Sequence, residues 1–198
     1  TRNLLVAIPA ILLAVAAAAR AQFVDRTQTN GLLWRGATWG AAFADLDGDG
    51  DLDLYAGHHT VEPTVFWNQG AGEFLIGTHA QPWTGSIDRH GTVIVSLDLD
   101  RDLEMFVTHG ADGGAGAEAN ELYRNDGGGS LRFLLGAGGT SDPAGRTRSA
   151  SAADIDRDGR VDLWTAEAPD ATSRNSLFRN NGNLSFTDVA AAIGLNES

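Results

Sequence analysis

Beyond residue 22 the chain repeats itself three times, and this repetition restricts the fold more than any other feature. Three acidic segments align without gaps, FADLDGDGDLDLYAG, IVSLDLDRDLEMFVT and SAADIDRDGRVDLWTA, and a second motif follows each one, VFWNQGAGEF, LYRNDGGGSLRF and LFRNNGNLSF. From Phe23 the closing phenylalanines recur at spacings of 51, 59 and 53 residues. Such a period predicts a repeat architecture, in which each unit buries its apolar face only against its neighbours.

Each repeat is predicted to contain about four short antiparallel strands. The runs are short, rich in aromatic and branched residues, and bounded by Gly, Asn and Asp. Four strands in about 50 residues is the size of one propeller blade. We therefore expect an all-β domain over 22–198, a partial β-propeller with repeats at about 23–74, 75–133 and 134–186. The first strand of a further unit is expected within 187–198.

The first acidic loop concentrates negative charge. Aspartates occupy every second position from Asp45 to Asp53, and two like charges 4 Å apart repel by about 1 kcal/mol even in water. A D-x-D-x-D-G run brings alternate carboxylates to one point when the chain curls, and the Gly permits the sharp turn. Oxygen ligands in a flexible loop suit Ca²⁺ better than Mg²⁺, which requires a strict octahedron.

The helix–loop–helix calcium hand does not explain these loops. Its twelfth position requires a bidentate Glu, but Ala56 and Thr165 stand there, and the flanking sequence predicts strands. An acid recurs instead at position nine, as Asp53 and Asp162.

This spacing resembles the FG-GAP repeats, also called VCBS repeats, of integrin-like β-propellers. The D-x-D-G-D-G-x-x-D loop, the N-x-G-x-G-x-F turn and the F-x-D-x-T opening all match, and the resemblance extends over 23–195. It implies that each loop joins two strands of one blade and carries a structural Ca²⁺. The implied ligands are Asp45, Asp47, Asp49, the Asp51 carbonyl and Asp53 at the first site, and Asp154, Asp156, Asp158, the Arg160 carbonyl and Asp162 at the third.

The middle loop departs from this pattern. Ser96 replaces the first Asp, Arg101 replaces the Gly, and Glu104 replaces the ninth-position Asp. Two interpretations stay open: a calcium site, or an Arg101 side chain that pairs with a loop carboxylate in place of the cation. The residues of this altered site are Ser96, Asp98, Asp100, Asp102 and Glu104. Two calcium ions are therefore expected, with the third site open.

The N-terminal segment has the layout of an export signal. Arg2 precedes an apolar run at 4–19, and an Ala-Arg-Ala sequence at 19–21 resembles a cleavage site. Two alternatives remain: 1–21 is a cleaved signal peptide, or it is a retained apolar helix that anchors the protein in a membrane through 4–19. Either alternative places 22–198 outside the cytoplasm, in the periplasm or at the cell surface.

Composition excludes several functions. The net charge is −12 with only 14 Lys and Arg residues, which argues against nucleic acid as a partner. The chain has no Cys, which excludes disulfides, cysteine zinc sites and iron–sulfur clusters. No nucleophile elbow, phosphate loop or dinucleotide fingerprint occurs, and His58 and His59 are adjacent, so on a strand they face opposite sides. We expect neither catalytic residues nor a small-molecule substrate.

We therefore predict a non-enzymatic, calcium-stabilised interaction or accessory subunit. A three-blade arc leaves exposed sheet edges, which normally recruit other chains, so we expect protein partners such as the subunits of a membrane complex. Two alternatives remain. One is an adhesion module cut from a longer propeller. The other is an enzyme acting on extracellular polysaccharide, with candidate acids at Glu62, Glu73, Glu121 and Glu167.

Overall fold

The computed structural model describes residues 23–34, 36–59, 61–77, 79, 82–83, 88–110, 118–168 and 174–195. Within these residues twelve strands form three antiparallel sheets of four. In chain order the strands are β1 Thr38–Ala44, β2 Asp53–His58, β3 Thr64–Asn68, β4 Phe74–Ile76, β5 Arg89–Val95, β6 Glu104–His109, β7 Glu121–Asn125, β8 Leu131–Leu134, β9 Thr147–Ala153, β10 Asp162–Glu167, β11 Ser176–Gly182 and β12 Ser185–Asp188. This arrangement confirms the predicted all-β, blade-like repeats.

The three sheets share one register at the acidic loop. The ninth-position acid begins the second strand of each sheet, opposite the last residue of the first strand: Asp53 pairs with Ala44, Glu104 with Val95, and Asp162 with Ala153. Each acidic loop is therefore the turn of a hairpin. The same sequence signal has produced the same local structure three times.

The first strands of the sheets lie side by side. β1 contacts β5, and β5 contacts β9, so these strands form the inner edge of the arc and the other strands follow outward in sequence order. On β1 and β9 exposed and less exposed residues alternate. The inner strands therefore keep one side accessible, as the predicted partial propeller requires.

Two apolar cores hold the sheets face to face. The first core, between the first two sheets, includes Trp67, Tyr55 and Met105, and the second, between the last two, includes Phe106 and Leu163. The middle sheet contributes to both cores, because Met105 and Phe106 are neighbours on β6 and point to opposite faces. Full burial of one such side chain contributes about 1.5–3 kcal/mol.

The predicted repeat ends can be placed on the strands. Phe74 begins β4, and Phe133 and Phe186 lie within β8 and β12. In the described part of 187–198, β12 ends at Asp188 and a 3₁₀ turn follows at Ala191–Ile193. The further unit at 187–198 stays a prediction.

The expected N-terminal helix falls on 1–21, outside the described residues. Within the residues that the structure describes, no helix is long and apolar enough to cross a membrane.

Candidate metal centres

A buried carboxylate anchors the first acidic loop. Asp53 is fully buried at the start of β2. Its Oδ2 accepts the backbone N–H of Leu46 at 2.9 Å, and its Oδ1 accepts the backbone N–H of Asn68 at 2.9 Å. These bonds tie the loop to the end of β3. Burial raises the pKa of the Asp53 carboxyl, while the two N–H donors act in the opposite direction.

The third loop has the same anchor. Asp162 accepts the backbone N–H of Ile155 at 3.0 Å and that of Asn180 at 2.8 Å. Ile155 and Asn180 occupy the same positions in the third repeat as Leu46 and Asn68 do in the first. The ninth-position acid thus has a structural role in both loops, whether or not a cation is bound.

Carboxylate oxygens converge in all three loops. One ligand oxygen from each of three acids lies within 4.8 Å of the others. The acids stand at positions one, three and nine of the outer loops and at positions three, five and nine of the middle loop. The three groups are Asp45, Asp47 and Asp53; Asp98, Asp100 and Glu104; and Asp154, Asp156 and Asp162.

Backbone donors curl each loop around its first carboxylate. Asp45 accepts the N–H groups of Gly48 at 2.8 Å and Gly50 at 3.0 Å. Gly50, at position six, has a φ of 96°, so the turn predicted to need Gly there does adopt the left-handed region. In the third loop Asp154 accepts the N–H groups of Asp158 and Gly159 in a similar way.

Position four also takes a left-handed backbone, which the sequence did not indicate. It is occupied by Gly48, Leu99 and Arg157, whose φ values are 79°, 67° and 63°. Leu and Arg adopt this region at an energetic cost, so neighbouring contacts must hold them there. The backbone geometry that the three loops share therefore does not depend on Gly at position four.

Two predicted side-chain ligands of the outer sites lie outside the converging groups. At position five, Asp49 accepts the N–H of Asp51 at 2.9 Å, and Asp158 accepts that of Arg160 at 2.9 Å. Asp158 also pairs with the Arg160 guanidinium. The carbonyls of Asp51 and Arg160 remain predicted ligands.

The middle loop keeps the anchor, but one half of it is weaker. Glu104 is fully buried, and its Oε2 accepts the Leu97 N–H at 2.8 Å. Its Oε1 is buried without a hydrogen bond of ordinary geometry, although the Asn125 backbone N–H acts to lower the pKa of this carboxyl. Burial outweighs that effect and raises the pKa of Glu104 to about 7. A nearby cation would favour the charged form of such a carboxylate.

The other middle-loop residues behave differently from the prediction. Arg101 forms no ion pair within the described part of the chain, and Arg124 is the guanidinium that approaches Asp98, at 4.0 Å. The Ser96 hydroxyl donates to the Asp100 carbonyl at 3.2 Å. The Asp102 N–H donates to the Asp100 carboxylate at 2.9 Å, and Asp102 lies outside the converging group. The expected alternative of a compensating Arg101 is therefore wrong.

The residues fit the calcium that the resemblance implied. In the three acidic loops every converging ligand atom is an oxygen. Ca²⁺ takes six to eight oxygen ligands. The buried anchor carboxylates Asp53 and Glu104 both have raised pKa values, so a nearby cation would stabilise their charged forms.

The acids considered for catalysis are partly committed to structure. Glu121 forms a bidentate ion pair with Arg89, at 2.9 and 3.1 Å. Glu167 accepts the Thr147 hydroxyl at 2.5 Å and the Arg146 N–H. These contacts argue against the two residues as free general acids.

The structure brings together three residues that sequence reasoning did not connect. The ring nitrogens of His59 and His90 lie 2.5 and 2.9 Å from the same Asp88 oxygen. The Asp-Arg-His sequence at 88–90 indicates part of this contact, because residues two apart in extended chain lie on the same face, which brings Asp88 and His90 together. As expected, His58 points elsewhere: its ring contacts the hydroxyls of Thr38 and Thr64.

Comparison with known proteins agrees with this fold. Residues 97–165 match the family model described as FG-GAP-like repeat, so the chain carries FG-GAP-like repeat sequence and the resemblance is confirmed there. The chain is also 28% identical over 151 residues to cartilage acidic protein 1 of Mus musculus. That alignment covers 74% of this chain and 23% of the mouse protein. The chain thus spans about a quarter of its curated relative.

Proposed function

Given a chain that carries FG-GAP-like repeats, we propose a non-enzymatic interaction module outside the cytoplasm whose blades are stabilised by calcium. The observation that carries the proposal is the convergence of three carboxylates in each hairpin loop, around a buried ninth-position acid. The cation would neutralise the loop and hold the first two strands of the blade together, as a disulfide does in other extracellular domains.

The middle loop is proposed as a third calcium site. The buried Oε1 of Glu104 makes no hydrogen bond of ordinary geometry, and Asp98 and Asp100 present oxygens within 4.8 Å of the Glu104 ligand oxygen. The replacement of Gly by Arg101 does not prevent three carboxylates from converging, and Asp100 at position five takes the place of the missing first Asp. A stoichiometry of three ions is therefore expected, above the two that the sequence pattern favoured.

Location outside the cytoplasm rests on two independent supports. The segment at 1–21 has the composition of an export signal. The similar mouse protein is named for cartilage, a connective tissue made largely of extracellular matrix. Calcium is abundant outside cells, where sites with dissociation constants of about 10⁻⁴–10⁻³ M are filled.

The open ends of the arc support a protein partner. Asn125 donates to the Leu46 carbonyl of the preceding repeat at 2.8 Å, and Asn180 donates to the Leu97 carbonyl at 2.8 Å. The equivalent Asn68 donates to Leu52 of its own repeat. The first repeat thus offers the surface on which a preceding blade of this type would dock, supplied by the same polypeptide or by a second chain. A native mass of 20.8 kDa or less for the protein isolated from its source would contradict this, since it would leave no room for a further blade or chain.

Calcium dependence is tested by thermal unfolding in Ca²⁺ and in EGTA. Chelation is expected to lower the melting temperature by about 10 °C or more, since three sites each contribute RT ln(1 + [Ca²⁺]/Kd). Mg²⁺ at the same concentration is expected to restore little of the loss. An unchanged melting curve in EGTA contradicts the calcium part of the proposal.

A further inference from the structure

The inner strands of the three repeats build a second polar cluster at the end of the sheets opposite the acidic loops. His59 follows β2, Asp88 and His90 lie at the start of β5, and Arg148 lies near the start of β9. Together with Trp39 of β1 they line a cavity of about 380 Å³. The acidic loops connect the other ends of these strands, so the two kinds of site are separate.

Close approach of the inner strands assembles this cluster. An added Cβ on Gly40 would lie 1.7 Å from the His90 carbonyl oxygen, and one on Gly91 would lie 2.6 Å from the Ser149 Cα. Gly110 also faces the cluster: a Cβ there would lie 2.6 Å from both Asp88 Oδ2 and His90 Nε2. The glycines therefore leave the polar atoms close to one another and to the cavity.

Two imidazole nitrogens meet at one carboxylate oxygen in this cluster. His59 Nδ1 lies 2.5 Å and His90 Nε2 lies 2.9 Å from Asp88 Oδ1. Arg148 Nη1 lies 2.8 Å from Nε2 and 3.4 Å from Nδ1 of the His90 ring, so the guanidinium lies over the face of that ring. The two imidazoles and the carboxylate are therefore already gathered as the ligands of a metal ion would be.

We propose that His59, Asp88 and His90 bind a divalent transition metal that prefers imidazole ligands, with Zn²⁺ as the representative ion. One donor atom from each residue lies within 4.8 Å of the others. Two imidazoles and one carboxylate form a ligand set used for such metals, with one or more positions left open. Zinc bonds of 2.0–2.2 Å require ligand atoms about 3.3 Å apart, so His59 and His90 need move by less than about 1 Å.

Arg148 defines the open coordination position. Its guanidinium is the one group of the cluster that opposes a cation, and its side chain is 36% exposed at the cavity. Asp88 is only 3% exposed and cannot leave the site. The bound metal displaces Arg148 toward the cavity, where water or an anion completes the coordination sphere.

Cobalt titration tests the site in the presence of the acidic loops. The full chain is stripped with chelator, saturated with Ca²⁺ and titrated with Co²⁺. One equivalent is expected to give an intense visible absorption band, which six-coordinate oxygen sites do not give, and Zn²⁺ is expected to abolish the band by competition. H90A is expected to lose the band, or to bind at least about tenfold more weakly.

Three variants decide the outcome. H79A removes a histidine outside the cluster and R148A removes the opposing charge, so both are expected to bind Co²⁺ at least as tightly as the unchanged protein. H59A is the second ligand variant if H90A fails to fold, because His59 is 32% exposed at the edge of the site. Absence of the band in the unchanged protein overturns the proposal. The proposal is also overturned if H59A binds Co²⁺ as tightly as H79A does, or if R148A no longer binds Co²⁺.

Discussion

At the scale of single residues, Glu121 shows how this acidic protein keeps a carboxylate charged inside its core. Its burial acts to raise the pKa, but hydrogen bonds and charge interactions with His109 and Arg89 outweigh that effect and lower the pKa of Glu121 to about 2. Arg89 is itself fully buried. Such a pair is sensitive to the loss of either partner, since a lone buried charge is costly.

The Glu121 ion pair predicts acid sensitivity. A carboxyl with a depressed folded-state pKa stabilises the fold above its unfolded value and loses this contribution as the pH falls through the folded value. The contribution, about 3 kcal/mol, should therefore be complete above about pH 4.5 and lost between there and about pH 2. Urea unfolding of wild type and E121Q over this range measures it.

Wild type and E121Q should differ in how their free energy of unfolding depends on pH, as well as in its size. We expect the stability difference between wild type and E121Q to be large near pH 6 and to shrink steadily in acid. A difference that is independent of pH would mean that E121Q acts through packing, and that the Glu121 charge is not what matters.

At the scale of the hairpin, the acidic loop combines two roles that substitution can separate. Asp53 satisfies two buried backbone N–H groups, whereas Asp45 is a more exposed residue that accepts bonds from within the loop. We predict that D53A destabilises the fold by about 2–4 kcal/mol even in EGTA, because it leaves those donors unpaired.

D45A is the matched variant for the ligand role. It should lower the melting temperature much more in Ca²⁺ than in EGTA, where it removes only the exposed bonds from Gly48 and Gly50. Thermal unfolding of both variants with and without Ca²⁺ tests the distinction. Equal effects of D45A in both conditions would argue against Asp45 as a ligand.

At the scale of the whole molecule, glycines determine how closely the sheets approach one another. A Cβ at Gly40 would overlap the His90 carbonyl, and one at Gly91 would overlap the Ser149 backbone. We predict that G40A and G91A each cost about 2 kcal/mol or more, because backbone atoms of the neighbouring sheet must move.

G57A is the control for this prediction. Its Cβ would meet Tyr55 and Arg89 only at 3.4–3.5 Å, which is ordinary contact, so its effect should be under about 1 kcal/mol. Chemical denaturation compares the three variants. Similar losses for G57A and G40A would mean that strand propensity, and not sheet contact, sets the cost.

The asparagines make a second connection between sheets. Asn125 bonds to the Leu46 carbonyl across the boundary between repeats, while Asn68 bonds to Leu52 within its own repeat. N125A should therefore destabilise the fold more than N68A, by about 1–2 kcal/mol. Equal losses in denaturant unfolding would indicate that the bond across the boundary contributes nothing.

The sequence by itself determined the features that depend on local spacing. The repetition predicted three four-stranded sheets, and the alternating acids predicted that carboxylates would meet within each outer loop. The predicted sets also included Asp49 and Asp158 at position five, which lie outside the converging groups. These features follow from neighbouring residues, because a Gly at position six and a carboxylate near backbone donors suffice to curl a loop. Local spacing did not reveal the left-handed backbone at Leu99 and Arg157, since neither residue type favours it.

Only the tertiary structure decided what the repeats form together. His59, His90 and Arg148 come from three different sheets and meet because glycines let the inner strands approach closely. The partner of Glu121 and the bond from Asn125 to Leu46 depend in the same way on packing between distant segments. Local sequence specifies hydrogen bonds within a hairpin, but the distance between two sheets depends on the side chains that fill the space between them.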